Sequence, residues 1–127
     1  IATSLMALAA VLRNVALPGM ALVAVGAAAN LAAIVANGGV MPASADALAA
    51  LGWSGASEHF ANSALVASAA LPWLTDIFAL PSWLPFANVF SPGDVAIGIG
   101  IAAFMSAGMM GAGRPLLAAP ARPEPVS

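Results

Sequence analysis

His59 is the single histidine of the chain, and Glu58 stands beside it. A lone imidazole can ligate the iron of a haem or the magnesium of a chlorophyll, or carry a proton. No second ligand or partner motif accompanies His59, so the sequence favours a loop histidine at an interface, hydrogen-bonded or wet. Glu58, Asp76 and Asp94 could be imagined as paired carboxylates, but their sequence separation says nothing about their distance, and Asp94 already has a cap role. Serines are plentiful, yet no Gly-x-Ser-x-Gly motif is present, and a triad would have to share the one His. Gly98-Ile99-Gly100 lies inside an apolar run and is not a phosphate-binding loop. With no Cys, disulfides, thiolate metal sites and iron–sulfur clusters are excluded. The sequence implies no catalytic residue, no metal and no cofactor.

The elements that would carry these residues are helices suited to lipid. Of 127 residues 62% are hydrophobic and 6% charged, with a mean hydropathy of +1.01. A soluble domain needs about 25% charged residues to clothe its surface. Three basic and five acidic residues cannot do so, which makes the bilayer a partner of most of this surface. A net charge of -2 offers no basic field for nucleic acid.

Residues 1–12 form an apolar run of roughly 18 Å as a helix, too short to cross alone. It reads as the second half of a spanning helix whose beginning lies outside this chain. A second span is expected over 18–36, with Pro18 in its first turn and Asn37-Gly38-Gly39 closing it. A third is expected over 92–113. There Ser91 caps, Pro92 takes the first helical position and Asp94 reaches back to the cap N–H. The Ile–Gly alternation from Ile97 to Ile101 hints at a strand, but a lone strand cannot satisfy its backbone in lipid.

Residues 37–91 are expected to be an interfacial loop holding short helices, one from Ser44 to Leu51 and one from Ser57 to Leu71. Trp53, Trp73 and Trp83 all fall in this stretch, as in an aromatic belt at headgroup level. If the loop does not cross, Arg13, Arg114 and Arg122 share one side and Asp46, Glu58, Asp76 and Asp94 the other. The positive-inside rule makes the arginine side cytoplasmic. The tail, 114–127, holds four Pro and reads as disordered. The fold class is thus an all-α membrane protein, with two full transmembrane helices and a partial N-terminal one over residues 1–113.

Asn30 lies beyond the middle of the second span, where an unpartnered amide is costly. An interhelical hydrogen bond is favoured over a ligand contact. Small residues four apart line both full spans: Gly26 with Asn30, Ala29 with Ala33, Ala96 with Gly100, Ala103 with Ala107. Such strips let helices approach closely, within the chain or between subunits.

Three motifs in order carry a family resemblance. Asn37-Gly38-Gly39-Val40-Met41-Pro42-Ala43-Ser44 resembles an Asn-Gly-Gly-x-Met-Pro-x-Ser signature. Leu74-Thr75-Asp76-Ile77-Phe78 is similar to Leu-Gly-Asp-Ile-Ile, with Thr75 where Gly is usual. Asn88-Val89-Phe90-Ser91-Pro92-Gly93-Asp94-Val95 resembles Asn-Val-Phe-Ser-x-Gly-Asp-Val. Together they resemble a small bacterial integral-membrane family, the domain-of-unknown-function family five-three-one-seven, over most of residues 15–110. The resemblance brings no activity and no catalytic residues. It implies an ordered cap in which Asn37, Asp76 and Asp94 satisfy backbone groups, and a place in the bacterial inner membrane as a multi-pass protein.

The function expected from these readings is a non-catalytic accessory or structural subunit. It would pack against other subunits of a larger membrane complex, of respiratory or photosynthetic type. The alternative is a lipid-, pigment- or solute-binding membrane protein or transporter element, with a membrane enzyme third. The arginine pattern generates a topology test in this Cys-free chain. Single cysteines at Ser57 and at Ala118 should react with an impermeant thiol reagent from opposite sides of a sealed vesicle. Equal labelling from one side would overturn the topology.

Overall fold

The computed structural model describes residues 1–52, 63–65 and 68–112. Its first helix, α1 (Ala2–Arg13), ends where Asn14 folds back and its Nδ2 donates to Ala10 O at 2.8 Å. A turn over 14–19 leads into α2 (Met20–Ala36). Pro18 stays in that turn and does not open the helix. Gly19, just before α2, has φ +81, and a left-handed residue cannot be built into a right-handed helix.

The far end of α2 is closed by backbone geometry that glycine permits. Gly38 takes φ +73, Gly39 N donates to Ile34 O at 2.8 Å and Gly38 N to Val35 O at 3.3 Å. This is the paired capping that satisfies carbonyls a helix end would otherwise orphan.

The last helix, α4 (Pro92–Ala112), has 21 residues, and its Ile–Gly alternation is helical throughout. Its stretch Pro92–Gly111 is long and apolar enough to cross a membrane and is only 11% buried. Among the described residues it alone meets that length. α2, with 17 residues, reaches only about 26 Å, the lower limit for a span.

The fold is mostly helical, as expected, but the stretch between α2 and α4 also holds short strands that the all-α expectation left out. Besides α3 (Ala45–Ala50), it holds β1 (Met41–Ala43), β2 (Ser63–Leu65), β3 (Phe78–Ala79) and β4 (Val89–Phe90). β1 pairs in parallel with β2, Met41 opposite Ser63, and β3 pairs antiparallel with β4, Phe78 opposite Phe90. The helix expected from Ser57 to Leu71 is excluded at 63–65, and its opening at Ser57 lies outside the described residues. Prolines at 42, 72, 81 and 85 leave fragments too short for stable helices, so backbone donors find partners on neighbouring fragments. A small core of Ala43, Ala47, Leu48 and Val89 forms beneath them, with Leu51 and Ala79 against it.

α1 packs on α2, and α2 packs on α4 along its length. The α2–α4 pair is antiparallel, because Gly19 meets Gly100 and Phe104 whereas Gly26 meets Gly93 and Ile97. The turn at 14–19 therefore lies at the same end as the C-terminus of α4, and residues 37–91 connect the other end. Glycine makes the approach possible at both levels. A Cβ on Gly26 would overlap Gly93 O, and one on Gly100 would come within 2.7 Å of Gly19 O and Val23 Cγ2. The strip containing Gly100 thus faces the chain's own helix.

This contact can be tested against a neutral site. Gly26→Ala should destabilise the protein by about 1–3 kcal/mol, because the methyl meets backbone that must shift. Gly98→Ala, with nothing within 4 Å, should raise stability by about 0.5–1 kcal/mol through helix propensity. Melting curves of the two variants in one detergent would have to move in opposite directions.

Candidate functional site

Three polar side chains, Asn30, Ser91 and Asp94, meet where α2 contacts the start of α4. Ser91 is fully buried and caps α4: its Oγ accepts from Asp94 N at 3.0 Å. Asp94, three residues on, returns the bond, with Oδ2 accepting from Ser91 N at 2.9 Å. This reciprocal pair satisfies two donors that a helix start leaves open, and it sets a carboxylate at the positive end of the helix dipole.

Asn30 closes the arrangement from α2. Its Nδ2 donates to Asp94 Oδ1 at 2.7 Å, and its Oδ1 accepts from Ser91 Oγ at 2.8 Å. Ser91 Oγ also lies 2.9 Å from Asp94 Oδ2, but a hydroxyl has one proton. Giving it to Asn30 satisfies every member, since Asp94 Oδ2 already accepts the Ser91 N–H. Gly93 makes room for this ring, as a Cβ there would fall on Asn30 Oδ1 and within 2.8 Å of Gly26 O.

Asn37 ties the cap to the other side of α2. Its Nδ2 donates to Ala33 O at 2.7 Å and to Ala70 O at 2.9 Å, and its Oδ1 accepts from Ala70 N at 2.8 Å. The side chain thus pairs with a distant backbone as a neighbouring strand would. Pro42, fully buried in β1, lacks a donor but accepts from Asp76 N at 3.0 Å. Asp76 O in turn accepts from Ser44 N at 2.9 Å, and Asp76 is buried. Thr75 needs no glycine, since its φ is -87. Its hydroxyl donates to Pro72 O at 2.7 Å and closes the 3₁₀ turn Pro72–Leu74.

The sequence-expected residues therefore fall into three places. Asn30, Ser91, Asp94 and Gly100 lie on the α2–α4 contact, and Asn37, Gly38, Gly39, Pro42 and Asp76 lie in the cap. His59, with Glu58, lies outside the described residues. What the sequence reading missed is the pair of seven-residue glycine spacings, Gly19 to Gly26 and Gly93 to Gly100. Equal spacings allow two glycine pairs to meet at once in either direction, and the structure selects the antiparallel one.

The Ser91 hydroxyl is inaccessible, and its proton is engaged by Asn30. No group of three metal-ligating side chains occurs among the described residues. Every buried side-chain polar atom among them has a partner. A protein family described as a family of unknown function (DUF5317) matches residues 1–106. The chain belongs to that family. No curated protein and no solved structure matches this DUF5317 member.

The ring can be measured as a unit. Asn30→Ala and Asp94→Ala should each destabilise the DUF5317 chain, and the double variant should cost less than their sum. A coupling of about 0.5–2 kcal/mol is expected for a side-chain bond between packed helices. Additive losses in a double-mutant cycle would mean that the Asn30–Asp94 bond contributes nothing in solution.

Proposed function

We propose that this chain is a non-catalytic, membrane-embedded subunit that packs against other helices of a larger membrane assembly. The observation that carries the reading is the contrast between the two sides of α4. Gly93 and Gly100 touch α2, and each would clash if it carried a Cβ. On the other side, Gly98, Ile101, Met105 and Gly108 are spaced three and four apart and share one stripe. Nothing lies within 4 Å of a Cβ at Gly98 or Gly108, and Ile101 and Met105 are exposed. Glycine weakens a helix interior by up to about 1 kcal/mol relative to alanine, and close helix approach compensates for it. Where α4 meets a known neighbour it uses glycine for that purpose, and the same use explains Gly98 and Gly108.

In this reading α1, α2 and α4 lie in the bilayer, in a multi-pass arrangement of the bacterial inner membrane with the Arg13 end cytoplasmic. Two features support it. Apart from Asp94 at its start and Ser106, the exposed surface of α4 is apolar, and the antiparallel α2–α4 pair sets the turn after Arg13 at the same end as the C-terminus of α4. The polar ring supports a structural role, because its members bond to one another and to the start of α4. No reaction is assigned.

The reading is tested by Gly98→Leu, which adds volume to the open stripe and leaves the α2 contact untouched. After mild detergent extraction from its native membrane, the unsubstituted protein should migrate on native gels as part of a larger species. The variant should migrate alone with a melting temperature that is not lowered, because Leu is also a better helix former than Gly. An unsubstituted protein migrating alone, or a variant still held in the complex, overturns the proposal.

A further inference from the structure

The hairpin before α4 ends in an aromatic tip that the polar ring and the cap do not use. β3 and β4 are held by their own pairing and by Leu80 N donating to Asn88 O at 2.9 Å, and Phe78 stacks near Phe90 at 5.3 Å. Beyond this neck the tip residues, 81–87, present Trp83 at 79% exposure and Phe86 at 93%. Phe86 has φ 66, an uncommon conformation for a bulky residue. No charged side chain occurs from Ile77 to Gly93.

We propose that this tip inserts into the headgroup layer of the same bilayer that α4 crosses, with Trp83 and Phe86 as its anchors. The inference rests on the reading of α4 as a spanning helix. Continuity with α4 selects lipid as the occupant. β4 is followed by Ser91 alone before the span begins at Pro92. The four residues from Asn88 to Ser91 cover at most about 14 Å when fully extended, so the tip is tethered close to the membrane boundary. Trp and Phe are suited to that layer, where a ring leaves water without entering the hydrocarbon centre. The tip backbone suits it as well. Pro81 and Pro85 have no N–H, Leu84 N donates to Pro81 O at 3.0 Å, and Ala87 N donates to Leu84 O at 3.2 Å. Few backbone donors of the tip are therefore left without a protein partner as it leaves bulk water. Trp73, 64% exposed in the 3₁₀ turn beside α2 and α4, is a further exposed aromatic.

Depth-dependent fluorescence quenching tests this with the full chain in phosphatidylcholine vesicles. Trp53→Phe with Trp73→Phe leaves Trp83 as the single reporter. It should be quenched severalfold more by lipids brominated near the glycerol than by lipids brominated near the acyl-chain ends. Phe86→Trp in a Trp-free chain should behave alike and guards against a local defect at position 83. Met105→Trp in the Trp-free chain reports α4, and there the acyl-end bromines should quench more. If Met105→Trp gives the deep signature but both tip reporters are quenched only by aqueous iodide, the hairpin inference fails and the span stands. If the tip reporters resist both bromines and iodide, protein covers them and the inference fails. If Met105→Trp is untouched by either brominated lipid, the spanning reading fails, and the inference with it.

Discussion

The backbone contact between α2 and α4 is the constraint on which the rest of the structure depends. Its two levels, Gly19 against Gly100 and Gly26 against Gly93, leave no room for side chains. The polar ring exists only because of this closeness. Gly93 sits between Ser91 and Asp94, and any side chain there would displace the Asn30 amide that bridges them. Packing and polarity are therefore one device. The glycines set the distance, and the ring sets the register by giving Asn30 only one place where all its partners are available.

The cap hangs from that helix pair by both ends. Where α2 ends, Asn37 and the Gly38–Gly39 turn hold the chain against Ala70; where α4 begins, β4 runs directly into Ser91. Its core, Ala43, Ala47, Leu48 and Val89, is a small cluster and offers limited apolar burial. Order in the cap therefore owes much to backbone pairing. β1 shows this most plainly, bonding to β2 on one side and, through Pro42 O and Ala43, meeting Asp76 on the other. Fixing the two helix ends first reduces the loop entropy that such short pairings must overcome.

The same arrangement accounts for several of the described polar groups. Ser91 and Asp94 serve a helix start, and Asn37 serves a helix end and a distant backbone. Outward, the molecule presents Met105, Met109 and Met110 on α4 and Trp83 and Phe86 on the hairpin, each more than half exposed. A surface of this kind is matched by lipid or by other apolar helices, which is where the proposed subunit role and the proposed interfacial anchor meet.

Local chemistry by itself determined several features. The Ser91 and Asp94 pair lies three residues apart at a Pro-marked helix start, and its reciprocal bonds need no distant partner. The closure of α2 by Gly38 and the Ser44 cap of α3 are equally local. Family membership was legible in three ordered motifs, and the match over residues 1–106 rests on the same linear information. Tertiary structure alone decided the rest. The fragments at 41–43, 63–65, 78–79 and 89–90 are too short to show period-two patterning, so their pairing depends on which backbone donors arrive opposite them. Asn30 could be read as needing a partner, but Ser91 and Asp94 lie more than sixty residues away in sequence. The strip at Gly100 was ambiguous for the same reason. A small-residue face states that something approaches closely, and only the antiparallel docking of α2 specifies what.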